Sequence, residues 1–470
     1  MREKWKNNFS EWYNEILEKA EILDIRYPVK GLYVWFPYGF KLRKHVLDVI
    51  RNILEEKNHR EALFPLLIPE QEFSKEAKHI KGFEDEVYWV THGGLEPLNV
   101  KLALRPTSET AIYPMFAVWI RSHSDLPLKV YQIVNTFRYE TKHTRPLIRL
   151  REITTFKEAH TAHASHEDAE RQINEAVEIY KKFFDALGVP YSISRRPDWD
   201  KFPGAEYTIA FDTIFPDSRT LQIATVHNLG QNFAKTFNVQ FENRQGEQEY
   251  AYQTCYGISD RVIASLLVIH GDDKGLCLMP EVAPLQIVIV PIWFKDSEKD
   301  VDSEVEKLKE ELKDFRVHID DRDIRPGSKY YDWEIKGVPL RIEVGPKDIE
   351  QEKITVVRRD ACKKQQIPRR NAGDKIAEIL KGISEDLRKR AWEEFNRRMH
   401  SANSLKEAKE IISKNGGIVK VRWCGEEACA KEIENEANAD ILGIVDEGVK
   451  GQCMRCEKKA KSVLQLGKAY

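Results

Sequence analysis

Four cysteines near the end of the chain are spaced to hold one metal ion. Four residues separate Cys424 from Cys429, two separate Cys453 from Cys456, and 23 lie between the pairs. Each pair can turn two thiolates toward one ion, and four soft ligands satisfy tetrahedral Zn2+ with no position left for a substrate. The expected role is structural; the competing reading is ordinary buried cysteines with an accidental spacing. A second group is built on arginine. Phe137-Arg138-Tyr139-Glu140 ends a strand-like run, a polar loop follows over 141–146, and Ile148-Arg149-Leu150-Arg151-Glu152 returns. Guanidinium groups at both bases of such a loop can clamp a polyphosphate. The same residues would equally make a solvated hairpin of surface ion pairs.

Arg261, in Gly257-Ile258-Ser259-Asp260-Arg261, opens an apolar helix. The helix dipole disfavours a cation there, so an anionic partner is expected: Asp260, a sheet carboxylate or a triphosphate. Arg105-Pro106-Thr107-Ser108-Glu109-Thr110 opens another helix. Thr107 or Ser108 could cap it, with Glu109 favoured in the first turn; alternatively Glu109 receives the N–H donors of an amine substrate. His160 and His163 have the spacing of helical metal ligands but no acidic third ligand at that spacing. With His227 they read as pocket walls or satisfied core histidines rather than a catalytic metal site.

The elements that must carry these residues follow from periodicity. Helices are expected over 5–25, 41–59, 167–187 and 259–269, and strands over 130–137, 148–156, 208–215 and 222–226. Residues 62–69, an apolar run broken by two prolines, suit an edge or interface strand. Strands that follow one another without a helix between each imply a largely antiparallel sheet, an α+β core. After Pro284 strands and helices alternate for about 100 residues, the pattern of a small α/β domain. Three units are expected: 1–283, 284–382 and 383–470. The chain has 470 residues, 41% hydrophobic and 32% charged, with net charge −2, the composition of a soluble globular protein. Neutrality weighs only lightly against RNA binding, because a large body can carry a local basic face. No membrane span is expected, and the charged N-terminus lacks a signal-peptide core. Seven cysteines, an odd number, suit a reducing cytoplasm.

Taken together in order, the segments resemble class II prolyl-tRNA synthetases of the archaeal and eukaryotic cytosolic type, over 31–470. Helix 41–59 with Pro65 looks like motif 1, Phe137-Arg138-Tyr139-Glu140 with Arg149 like motif 2, and Gly257 to Arg261 like motif 3. Arg105 to Thr110, TVHNLGQNF (225–233) and GVPLRIEVGPKD (337–348) are similar to signatures of the prolyl enzyme. The resemblance implies an α+β catalytic core, an anticodon-binding α/β domain and a C-terminal α+β zinc domain. It implies ligation of proline to tRNA(Pro) through a prolyl-adenylate, with ATP and Mg2+, in a cytoplasmic homodimer. Arg138 would bridge the α-phosphate and the proline carboxylate. Glu140 and Arg149 would hold the adenine side and the phosphate tail, Arg261 the γ-phosphate, and Gln222, Thr225 and His227 the ribose and base. Thr107 and Glu109 would read the secondary ammonium of proline, and Phe156, His160, Phe202 and Cys255 would wall its ring. Glu334, Arg341, Lys347 and Asp348 match positions expected to read the anticodon guanines, and Tyr470 the terminal tyrosine that folds back toward the active site. About 100 residues separate motifs 2 and 3, so no bacterial-type editing insertion is expected.

One departure stands out. Five residues lie between Glu152 and Glu158 where the human-like pattern has four. Phe156 then falls on the proline ring, and the adenine-stacking place passes to Ile153 or Thr154, unless Phe156 has changed duty. The rivals are a sister enzyme for threonine or histidine, and a synthetase-like RNA-binding or regulatory protein without catalysis.

Overall fold

The computed structural model describes residues 4–77, 86–141, 143–294, 297–446 and 448–470. Lys142, within the polar loop expected over 141–146, lies outside them. Eleven strands form one sheet. From one edge its order is Met399–Ser401, Ile418–Trp423, Ser462–Gly467, Asp440–Val445, Ser192–Arg195, Tyr207–Ile214, Thr220–Gly230, Tyr252–Ile258, Glu152–His163, Leu128–Phe137 and Arg60–Glu61. Among the described residues its two outermost strand pairings are parallel and its other strand pairings antiparallel. The antiparallel core expected from consecutive strands is present.

Helices cover one face. Pro37–Glu56 buries Leu42, Val46, Ile50, Ile53 and Leu54, the apolar stripe spaced at three and four residues. His166–Leu187 begins where Ser165 Oγ accepts the Asp168 amide at 3.2 Å and ends at Gly188 in the left-handed region. Both helices pack with Arg261–Ile269 into one apolar core under the sheet. The N-terminal helix is broken: Lys4–Asn7 and Phe9–Lys19 flank Asn8, and Trp12, Tyr13 and Ile16 are buried.

The strand expected over 148–156 starts later, at Glu152. Residues 145–151 turn on Leu147, whose φ is +57°, with hydrogen bonds between Arg145 and Arg149 and from Arg151 to Gly31, and rejoin the neighbouring chain only at Arg151, whose carbonyl accepts the Arg138 amide. Arg149 therefore stands on a loop, free of the pleat that would have fixed its direction.

The second unit is a five-stranded sheet in the order Val317–Ile319, Ile287–Pro291, Leu340–Val344, Lys353–Arg358, Lys363–Pro368. Its first three strands are parallel and its last two antiparallel. It docks on the loop after motif 3, where the Arg359 guanidinium donates to both Asp272 oxygens at 2.6 and 2.8 Å.

The C-terminal unit is separate in sequence but not in the sheet. Its four strands extend the catalytic sheet through the pairing of Ile444 with Arg195. Ser192 Oγ donates to Gln465 at 3.0 Å and Ser194 Oγ to the Leu442 carbonyl at 3.2 Å across this seam. A Cβ at Gly443 would lie 2.2 Å from Ser194 Oγ, so only glycine permits that approach. The boundary expected at 382/383 falls inside helix Ala372–Arg397.

Candidate active site

A cleft of about 700 Å³ opens on the sheet face opposite the helices. It gathers Thr107, Glu109, Arg138, Glu140, Arg149, Phe156, Phe202, Gln222, Thr225, His227, Cys255 and Arg261 into one wall, from segments far apart in the chain. His160 lies one layer behind, fully buried.

Its electrostatics are dominated by three guanidiniums. Arg261 donates to the carbonyls of Ile148 at 3.0 Å and Gln222 at 3.3 Å. Its expected neighbour Asp260 instead accepts from the amide and hydroxyl of Thr154, at 2.7 and 3.1 Å. Burial first, then repulsion from Arg138 and Arg149, lowers the Arg261 pKa to about 10. Asp212 offsets this only in part, so a largely enclosed cation beside two others is a place suited to an anion. Arg149 lies 3.8 Å from Glu140 and donates to the main-chain oxygen of Tyr470 at 3.4 Å. The terminal tyrosine is folded back between Arg145 and Arg219, 4.7 and 4.5 Å from its ring.

At the other end, Glu109 is buried in the first turn of helix Glu109–Trp119. The capping reading does not hold: Ser108 makes no cap and receives Gln132 at 2.8 Å, while Thr107 hydrogen-bonds the Glu109 carboxylate. Burial, then the nearby Glu158, raises the Glu109 pKa. His160 and His163 stand on a strand, not a helix, so three residues put them on opposite faces. His160 Nδ1 meets Tyr113 Oη at 2.9 Å, and His163 Nδ1 meets Asp168 at 2.7 Å.

Two β-bulges set the wall. Val134 pairs with Phe156 and Thr136 with Ile153, so Thr154 and Thr155 together oppose Asn135 alone. The extra residue restores phase: Ile153 and Phe156 both line the cleft, while Thr154 turns to Trp35 Nε1 and Asp260. Asp212 pairs with Gln222 and Phe211 with Ala224, leaving Ile223 extra, which brings Gln222 onto the face of Thr225 and His227.

Away from the cleft, Arg341 bridges Glu334 and Glu343 at 3.2 Å and lies 3.9 Å over the Tyr330 ring. Asp348 accepts the Gly345 amide at 3.0 Å and the Thr355 hydroxyl at 2.9 Å, and Lys347 is exposed beside it. The Sγ atoms of Cys424, Cys429, Cys453 and Cys456 all lie within 4.8 Å of one another. The Cys456 thiol is drawn down to about 7, first by the Lys458 amide. A convergent set of four thiols fits a soft tetrahedral cation.

Comparison with known proteins identifies the family. Residues 88–270 match the tRNA synthetase class II core domain (G, H, P, S and T), 286–379 an anticodon binding domain, and 405–470 the prolyl-tRNA synthetase C-terminal domain. The proline–tRNA ligase of Methanocaldococcus jannaschii is 63% identical over 93% of this chain and 96% of its own. That of Methanothermobacter thermautotrophicus is 58% identical over 97% and 95%. The chain belongs to the proline–tRNA ligase family. Among solved proline–tRNA ligases, the Giardia lamblia prolyl-tRNA synthetase in complex with prolyl-adenylate superposes with a TM-score of 0.96 at 39% identity, covering 99% of both chains. The Cryptosporidium parvum enzyme complexed with halofuginone and AMPPNP gives 0.93 at 35%, covering 99% of this chain and 98% of that one.

Sequence reasoning about this ligase missed three contributors. Glu158 faces the cleft two residues before His160, legible from strand alternation. Arg196, which donates to both Asp212 oxygens at 3.1 and 3.3 Å, and the 199–201 loop gave no local signal.

His227 carries a pH prediction. Burial, then His160, lowers its pKa to about 3, and Nδ1 is engaged by Thr208 at 2.9 Å. A folded value below the unfolded one means that its stability is present above pH ~6.5 and lost as pH falls toward the folded value. The loss is roughly 2 kcal/mol by pH 5. Urea midpoints at pH 7 and 5 should therefore differ more in the wild type than in His227→Gln; equal differences would count against a neutral His227.

Proposed function

We propose that the three-arginine end of the cleft holds ATP and the Glu109 end holds proline, in an enzyme that charges tRNA(Pro) in two steps. The proline carboxylate attacks the α-phosphorus, forming prolyl-adenylate and releasing pyrophosphate. A ribose hydroxyl of the terminal tRNA adenosine then attacks the prolyl carbonyl, and AMP leaves. The first step needs no general base, since the nucleophile is already ionised, so positioning and charge neutralisation carry it. The convergence of Arg138, Arg149 and Arg261 is the observation that carries this reading.

Arg138, held by the Pro106 carbonyl at 3.1 Å and 5.9 Å from the Phe156 ring, stands where the two substrates meet. Arg149 and Arg261 take the phosphate tail, with Mg2+ sharing its charge, and Glu140 holds the adenine side. Gln222, Thr225 and His227 line the ribose. Adenine rests on Ile153, because Phe156 stands beside Arg138 and Thr154 points away. Glu109 accepts from the proline ammonium with Thr107 fixing its carboxylate; Phe156, Phe202 and Cys255 wall the ring, with His160 behind them.

The four cysteines hold a structural Zn2+. Glu334, Arg341, Lys347 and Asp348 read the anticodon, where guanine presents acceptors to Arg and Lys and donors to carboxylates. Two copies associate through the apolar surface of Leu63, Leu66, Leu67, Val118 and Trp119, all exposed in one chain. The cytoplasm is the expected compartment, with all seven cysteines unbridged.

Pyrophosphate exchange with each of the twenty amino acids tests the assignment. Strong exchange with proline alone is expected; a different amino acid would overturn the pocket reading, and none would leave a binding protein. Arg341→Ala should raise the KM for tRNA(Pro) about 10- to 100-fold while exchange, which needs no tRNA, is unchanged. An unaltered KM would remove Arg341 from recognition.

A further inference from the structure

The floor of the cleft holds three side chains whose shared geometry as metal ligands the charging reaction does not use. Glu109, His160 and Cys255 each turn one ligand atom toward a common point, all within 4.8 Å of one another. Cys255 Sγ is 3.9 Å from Glu109 Oε1 and 3.8 Å from His160 Nε2. In a tetrahedral zinc site a sulfur and a nitrogen ligand stand about 3.6 Å apart, so a shift of a few tenths of an ångström would close the site. The Tyr113 hydroxyl at 2.9 Å from Nδ1 orients the ring and leaves Nε2 toward the other donors, the role of an outer-shell partner. A second observation points to a missing cation. Glu158 Oε2, on a side chain only 3% exposed, is buried with no hydrogen-bond partner and lies 3.6 Å from His160 Nε2. Two carboxylates are thus buried side by side; Arg105 and Lys157 offset the charge of Glu158 from other sides, and a cation between the two carboxylates would stabilise both.

We propose that a divalent cation of the zinc class binds Glu109, His160 and Cys255, with Glu158 or water in fourth position, and excludes proline. One nitrogen, one sulfur and carboxylate oxygen form a mixed set that selects a borderline metal over Mg2+. Binding releases the Cys255 thiol proton to water. The cation takes the place that the substrate ammonium takes when proline binds, so the two occupants compete. The competition rests on the proline reading above; the binding of the ion does not.

The test is a Co2+ titration of full-length protein whose four-cysteine cluster is already filled with zinc. One further Co2+ per chain is expected, with thiolate-to-cobalt charge-transfer absorption that is lost in Cys255→Ser and weakened in Glu109→Gln. Proline is expected to displace it, raising its apparent Kd at least about 10-fold, as a direct competitor must. No uptake by the wild type, or an absorption band that survives in Cys255→Ser, would overturn the site. A bound ion that proline fails to displace would overturn the competition and the proline pocket, with the metal site left standing.

Discussion

Arg138→Ala is expected to lower proline-dependent pyrophosphate exchange by about 10³-fold, mostly in kcat. In the proposed arrangement Arg138 stands at the junction of the two subsites, where a fixed guanidinium meets the charge that develops on the pentacoordinate phosphorus. The loss exceeds that of an ordinary ion pair because the cleft is walled by protein and the site is organised before the substrates arrive. Truncation also relieves repulsion on Arg261, whose pKa should rise from about 10. The overall fold is therefore expected to be as stable as the wild type or more so, and the melting temperature separates lost chemistry from lost structure. A variant that keeps a tenth or more of wild-type exchange would place the phosphate elsewhere.

The second large effect concerns the four cysteines. Stripping the zinc proposed at this cluster with a chelator, or replacing Cys453 with serine, is expected to lower the first melting transition by about 10 °C or more. The cluster closes the end of the unit whose core is Trp423, Ile433, Leu464 and their neighbours. Trp423, 4% exposed and 5.9 Å from Trp199, should redden in emission as that core opens. Catalysis should fail with it, because strand Asp440–Val445 continues the catalytic sheet beside Ser192–Arg195 and Tyr470 reaches Arg149. Restoring zinc to chelated protein should restore both. Zinc loss without change in melting or emission would make the cluster incidental.

Much of this was legible in the residues alone. The stripe of Leu42, Val46, Ile50, Ile53 and Leu54 fixes a helix and its buried face, because spacing at three and four residues has one outcome. The paired cysteine spacings foretell their convergence, since short loops limit where two thiols can point. Motif order foretells the family and most of the cleft. What remained ambiguous was phase. One extra residue before Glu158 leaves Ile153, Thr154 and Phe156 interchangeable in sequence, because a strand's faces alternate and an insertion flips them. Only the pairing across to Asn135 shows the insertion absorbed as a bulge, with Thr154 turned away. The same holds for His160, whose spacing to His163 suits a helix until strand pairing puts them on opposite faces. Partnerships over long separations were also hidden: Glu109 with Cys255, Arg196 with Asp212, and the C-terminal strands with Ser192–Arg195. Local sequence dictates local conformation and burial, but which distant side chains share a few ångströms is set by how the strands close on one another.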